Sequence, residues 1–122
     1  MTVFDASALL AYLQGEQGAG VVESALAAGG GACGAANWSE VAQKVLAHDR
    51  DWPLARALLL SYEVEVRAVT AEDAERGAAR WRRGQGLSLA DRLCLALGDR
   101  LDSEVLTADG SWGTDGRVRQ IR

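Results

Sequence analysis

The sequence predicts an α/β domain of three layers, with a central, mostly parallel sheet flanked by helices. Short apolar runs alternate with helix-patterned segments along the chain, which is the signature of strands joined by helical crossovers. The 122 residues fall within the range of one domain, here spanning 1–122. Hydrophobic residues make up 48% and charged residues 25% of the chain, a globular balance with enough apolar material for one core.

The elements follow in order. Thr2 to Phe4 reads as a short buried strand, and Ser7 to Leu13 as a helix with Leu9, Leu10 and Leu13 apolar. Gly18 to Ala28 forms a second helix with Val21, Val22, Ala25 and Leu26 on one side. Gly29-Gly30-Gly31 marks a turn before a weak strand over Ala32 to Ala35. From Asn37 to His48, Trp38, Val41, Ala42, Val45 and Leu46 follow the spacing of one helix face. Glu40 is expected roughly opposite that stripe. Asp51 and Pro53 suit a helix start, with the helix running through Leu58 to Ser61. Val64 to Val69 alternates as an edge strand would, and Thr70 caps a charged helix expected to reach Arg83. After the turn Gly84-Gln85-Gly86, Ser88 to Leu101 is apolar almost all round, which predicts a buried helix. Glu104 to Thr107 and Val118 to Ile121 are the last strands.

In such a fold the carboxyl ends of the strands border one crevice. Asp5 ends the first strand and Asp109 follows the strand Val105-Leu106; Glu40 and Asp91 lie in the first turns of helices opening at Asn37 and Ser88. Four carboxylates scattered through the chain are therefore expected to meet. Acids so close repel one another, and a hard divalent cation removes the conflict, because Mg²⁺ prefers oxygen ligands. The pattern points to a metal-dependent site that cuts phosphodiesters. Ser7 could reach Asp5 as a hydrogen-bond donor that orients the carboxylate.

Each acid has a plainer reading. Asp5 is a favoured helix cap, and Asp109 suits a turn. Asn37-Trp38-Ser39-Glu40 and Ser88-Leu89-Ala90-Asp91 both resemble capping boxes. So does Thr70-Ala71-Glu72-Asp73, to which no chemistry is assigned. Asp91 stands apart because its helix is so apolar that a carboxylate there asks for a partner. Asp99 and Asp102 read as solvated. Asp115, in a Gly-rich segment, reads as a turn residue, with a peripheral metal contact as the alternative.

The net charge of −4 is unusual for a nucleic-acid-binding chain, but bound Mg²⁺ would offset acids gathered in a cleft. Of 13 basic residues all are arginine except Lys44. Arg80, Arg82 and Arg83, at the end of a polar helix, are a solvated face or a rim that grips RNA phosphates. Trp81 and Trp112 could stack on bases, with core packing the plainer role; Trp38 and Trp52 read as core or subunit-contact residues. Cys33 and Cys94 form no CxxC pair and read as buried free thiols. The lone His48 cannot build a His/Cys zinc site. No apolar stretch approaches the roughly 20 residues that span a bilayer, and no signal-peptide pattern opens the chain. The expectation is a cytoplasmic protein with no membrane partner.

At this point the chain resembles the PIN-domain ribonucleases of the bacterial VapC toxin type. The resembling blocks are Val3-Phe4-Asp5-Ala6-Ser7-Ala8-Leu9-Leu10-Ala11, Asn37-Trp38-Ser39-Glu40-Val41, Leu87-Ser88-Leu89-Ala90-Asp91-Arg92-Leu93-Cys94-Leu95-Ala96-Leu97, and Leu106-Thr107-Ala108-Asp109 followed by Trp112. They run in order along essentially the whole chain. The resemblance implies a PIN-like fold and Mg²⁺ or Mn²⁺ held by Asp5, Glu40, Asp91 and Asp109, with Ser7, Asn37 and Thr107 in support. It implies cleavage of transfer or ribosomal RNA by metal-activated water, a homodimer, and neutralisation by a cognate VapB-type antitoxin. Rival readings are a non-catalytic binding or dimerisation module on the same scaffold and a structure-specific DNA nuclease. A receiver domain would want a lysine at a strand end, and a haloacid-dehalogenase-like phosphatase would want Asp-x-Asp where this chain has Asp5-Ala6-Ser7.

Overall fold

Val3 and Phe4 are neighbours on one strand, and the alternation of a strand sends their side chains to opposite faces. Phe4 packs with Cys33, Leu106, Leu9, Val22, Leu26, Val41 and Leu59. Val3 packs with Val105, Cys94, Leu95, Leu97 and Trp112. These two clusters are the two sides of a sheet, which makes a three-layer domain. The computed structural model describes residues Met1–Arg122.

In chain order the elements are β1 (Thr2–Phe4), α1 (Ala6–Gln14), α2 (Ala19–Ala27), β2 (Ala32–Gly34), α3 (Ala35–Ala47), α4 (Trp52–Ser61), β3 (Glu65–Arg67), α5 (Ala71–Ala79), α6 (Leu89–Arg100), β4 (Glu104–Thr107), a 3₁₀ turn (Gly110–Trp112) and β5 (Val118–Gln120). The strands lie in the order β3-β2-β1-β4-β5. Every pairing is parallel, so the sheet expected to be mostly parallel is wholly so. The chain steps outward from β1 to β3, then returns to β4 on the other side of β1. The order therefore reverses between β1 and β4, and the crevice beyond their carboxyl ends is where an open α/β sheet binds its ligand.

Several boundaries differ from the sequence reading. Helix α3 begins at Ala35, straight from β2, with the extended Gly34 as its cap. Asn37 is therefore inside the helix, and Asn37–Glu40 is not a capping box. The buried face of α3 is Asn37, Val41 and Val45, rotated toward Glu40 from the predicted stripe, and Leu46 is 57% exposed. Trp38 instead meets Trp52 of α4 edge to face, with ring centroids 5.3 Å apart. Helix α5 stops at Ala79 and does not reach Arg83. There Arg82 Nη1 donates to the carbonyls of Ala79 and Trp81, occupying acceptors at the end of the helix.

Helix α6 is not buried all round. Cys94 to Gly98 are buried, Asp91 to Leu93 are half-buried, and Leu89 is exposed. At Gly98 an added Cβ would collide with Val105 Cγ2, so the absence of a side chain lets α6 lie directly on β4. Asp99, expected in solvent, pairs with Arg80 at 2.8 Å and Arg117 at 3.1 Å. Asp102 pairs with Arg117 and stays exposed. Both cysteines are free and buried. No helix is long and apolar enough to cross a membrane.

Candidate active site in the acidic crevice

Asp5 follows β1 directly and caps α1 only through its backbone. Its side chain is 3% exposed. Ser7 donates to Asp5 Oδ2 at 2.6 Å and Thr107 donates to the same atom at 2.9 Å. The hydroxyl oxygens in turn accept backbone N–H groups beyond β4, Ser7 from Ala108 at 2.9 Å and Thr107 from Asp109 at 3.0 Å. The ends of β1 and β4 are thereby tied into one network, which fixes the Asp5 carboxylate. No side chain donates to its Oδ1.

Glu40 sits in the second turn of α3, half-buried. Asn37, 1% exposed, donates through Nδ2 to Glu40 Oε1 and to the carbonyl of Ala90, both at 3.2 Å. This one amide orients Glu40 and ties α3 to the first turn of α6. Asp91 stands in that turn. Its N–H is accepted by Ser88 Oγ at 3.1 Å, and its Oδ2 accepts the Ser88 N–H at 2.9 Å. Asp109 caps the 3₁₀ turn, with Oδ1 accepting the N–H of Ser111 at 2.9 Å and its hydroxyl at 2.7 Å. Glu40, Asp91 and Asp109 thus each have one oxygen tied to their own element and one without a protein donor.

The four acids line a single cavity of about 200 Å³, together with Ala6, Ser7, Leu10 and Lys44. Burial raises the Asp5 pKa; its hydroxyl donors pull it down, and the Asp91 carboxylate adds to the rise. Burial likewise raises Glu40, against the Asn37 hydrogen bond, with Asp5 and Asp91 adding to the rise and Lys44 opposing it. These carboxylates therefore feel one another. Yet no three acidic, Cys or His side chains close around one point as a metal cage.

An open set of oxygen donors of this kind suits a hard divalent cation that keeps part of its water shell. Mg²⁺ dehydrates reluctantly and is commonly held by one or two carboxylates, several waters and a substrate phosphate. An all-oxygen donor set with free oxygens around a cavity of about 200 Å³, roomy enough for a cation and its waters, matches that demand. The buried thiols are poor alternatives. Burial pushes Cys33 and Cys94 up, and Asp5 adds to both, which leaves them protonated and unreactive at neutral pH.

Other candidates lie outside the cavity. Arg80 caps α5 and is held by Asp99; Arg82 bonds backbone carbonyls; Arg83 lies over the Trp81 ring at 6.0 Å. Trp81 is 53% exposed, whereas Trp112 is packed in the α6-side core. Asp115 forms the turn before β5, its carbonyl accepting the Val118 N–H at 3.2 Å, and it lines a different cavity. The sequence reading passed over Lys44 as a mid-helix residue. Its signal was there, since Asn37, Glu40 and Lys44 share one ridge of α3 at helical spacing.

A solved structure described as a toxin-antitoxin complex from Klebsiella pneumoniae contains a chain of similar fold, at 22% identity and a TM-score of 0.78, covering 100% of this chain and 98% of that one. No curated protein matches the sequence significantly. The PIN domain family model matches residues 2–113, nearly the whole chain. With its acids gathered at the β1/β4 switch point, this chain belongs to the PIN domain family.

Proposed function

We propose that this protein is a metal-dependent endoribonuclease of the VapC toxin type, acting on transfer or ribosomal RNA and silenced by a VapB-type antitoxin. The observation that carries this reading is the convergence of Asp5, Glu40, Asp91 and Asp109 on one cavity at the sheet's switch point. The fold likeness to a chain from a toxin-antitoxin complex supports the antitoxin. Asp5, Glu40, Asp91 and Asp109 would hold Mg²⁺ or Mn²⁺. When bound, such an ion supplies positive charge against the phosphate and makes water acidic enough to attack near neutral pH.

The chain's own residues prepare that chemistry. Ser7 and Thr107 fix the Asp5 carboxylate, and Asn37 fixes Glu40 against α6, so the acids need little reorganisation. Burial and neighbouring carboxylates raise both Asp5 and Glu40, and one of the four carboxylates would take the proton of the attacking water. No covalent nucleophile is required. Arg80, Arg82, Arg83 and the exposed Trp81, in the segment leading to Ser88 and Asp91, would grip the flanking strand.

A second copy is proposed to dock on the apolar groove lined by Leu13, Val45, Leu54, Ala55 and Leu58, of about 230 Å³. Leu54 and Leu58 are 67% and 41% exposed there. The test of function is cleavage of total cellular RNA by the purified chain with Mg²⁺, Mn²⁺ or EDTA, beside Asp5→Asn. Discrete fragments that need metal and Asp5 are expected. A folded, metal-binding protein that cuts no RNA would point instead to a binding module.

A further inference from the structure

Every ion pair within this molecule is made by an arginine. Arg100 shows what an arginine does beside a buried acid here. Its Nε and Nη2 close on both oxygens of Asp73, at 2.9 and 3.1 Å. Lys44 is the one lysine of the chain, and it lines the cavity that holds Asp5, Glu40, Asp91 and Asp109. It stands four residues after Glu40 on the same ridge of α3, the favoured order for an acid–base pair on a helix. It is nevertheless exposed and pairs with no carboxylate.

The chemistry of the side chain explains the difference. A guanidinium fork would bridge two carboxylates and shut the site to a cation. An ammonium is a strongly hydrated point charge on a flexible stem, able to stay at the mouth and meet an oxygen arriving from solvent. The acids inside repel an incoming phosphodiester, and Lys44 is the one cationic side chain lining their cavity. We propose that Lys44 is a substrate-positioning residue, whose ammonium holds a phosphate oxygen of the single-stranded substrate at the mouth of the acidic cavity. This rests on the nuclease reading above.

The test is binding of a mixed-sequence single-stranded RNA in Mg²⁺ across a salt series. It compares Asp5→Asn, which leaves the probe uncut, with Asp5→Asn/Lys44→Gln and Asp5→Asn/Lys44→Arg. One lost phosphate contact lowers the slope of log K against log salt by about 0.7 on single strands. That drop is expected for Lys44→Gln, and for Lys44→Arg as well, because the guanidinium would turn onto the carboxylates instead of meeting the phosphate. Equal slopes, with Lys44→Gln instead tightening Mn²⁺ binding to the otherwise wild-type chain, would make Lys44 a counter-ion of the acids and overturn the proposal. Cleavage of the probe by Asp5→Asn as fast as by the wild-type chain would place the cutting outside the acidic cavity, and overturn the proposal with it.

Discussion

At the start of α5, Thr70 accepts the N–H of Asp73 and the Asp73 carboxylate accepts the N–H of Thr70, at 3.0 and 3.1 Å. At the start of α6, Ser88 and Asp91 repeat the exchange at 3.1 and 2.9 Å. The two boxes are the same local device, a hydroxyl residue followed three positions later by an aspartate. They differ in what the rest of the fold brings to each carboxylate. Asp73 is 2% exposed and meets Arg100, whose guanidinium engages both its oxygens. Asp91 is half-buried, keeps one oxygen free, and faces Asp5 and Glu40 across a cavity. A cap is thus written locally, whereas its use is decided by elements distant in the chain.

The largest effect expected from this contrast is on cleavage. Asp91→Asn keeps an oxygen to accept the Ser88 N–H, so the helix start survives at a cost within about 1 kcal/mol. It removes a carboxylate from the cavity, and activity is expected to fall by about 10³-fold, equivalent to several kcal/mol of lost electrostatic stabilisation. Asp73→Asn should leave turnover per folded molecule unchanged. Equal losses in the two variants, measured on one RNA, would break the distinction.

Stability is expected to reverse the ranking. Asp73→Asn loses the ionic half of a buried, charge-assisted contact and should cost about 2–3 kcal/mol, discounted because Arg100 is partly exposed. Chemical denaturation read by circular dichroism would measure it. Of intermediate size is the effect of the residues that hold Asp5. Ser7→Ala or Thr107→Val should weaken Mn²⁺ binding by roughly 10–100-fold, as loss of a ligand's orienting partner does. Calorimetric titration would detect it.

The smallest effect is on pH dependence, where the two regions carry opposite signs. Asp73 would be raised by burial, but the Arg100 hydrogen bonds and the Thr70 N–H outweigh this and hold it below its ordinary value of 3.8. Its stabilisation is complete above that value and is lost as pH falls through the lowered folded pKa. Asp5 and Glu40 are raised in the folded state, from ordinary values of 3.8 and 4.5. The fold therefore gains stability as pH falls from neutral through their raised pKa values, since folding then takes up protons. In EDTA, wild-type stability should rise on mild acidification and fall below about pH 4 as Asp73 is protonated. Asp5→Asn should show a smaller rise, and Asp73→Asn a weaker acid-side loss. A denaturation series across pH would show a monotonic decline if the crevice acids were unstrained.

The comparison also explains what the sequence disclosed. Strands β1, β4 and the start of α4 stand where period, turn chemistry and the Asp51–Pro53 signal put them, because those signals are local. The start of α3 was misread because Asn37 is a good cap by type, whereas Gly34 passes from strand to helix with no loop. The buried face of α3 was misjudged because Trp38 is only partly buried, packed with Trp52 at the margin of the core, while the polar Asn37 is buried to reach Ala90. The acids could be singled out because each ends a strand or begins a helix, positions that parallel crossovers gather on one edge. Lys44 was overlooked although it lies four residues after Glu40 on the same ridge of α3, and the Arg100–Asp73 pair was invisible because only the packing of α5 on α6 brings those side chains together.

The central claim is that the Asp91 region is a cation site and the Asp73 region a structural joint. Titration of Mn²⁺ into the wild-type chain, Asp91→Asn and Asp73→Asn, followed by calorimetry or by the Mn²⁺ paramagnetic signal, tests it without knowledge of the RNA target. Saturable binding by wild type and Asp73→Asn, lost or severely weakened in a folded Asp91→Asn, is the predicted result. Identical titrations for all three proteins would contradict it and return Asp91 to the role of a helix cap.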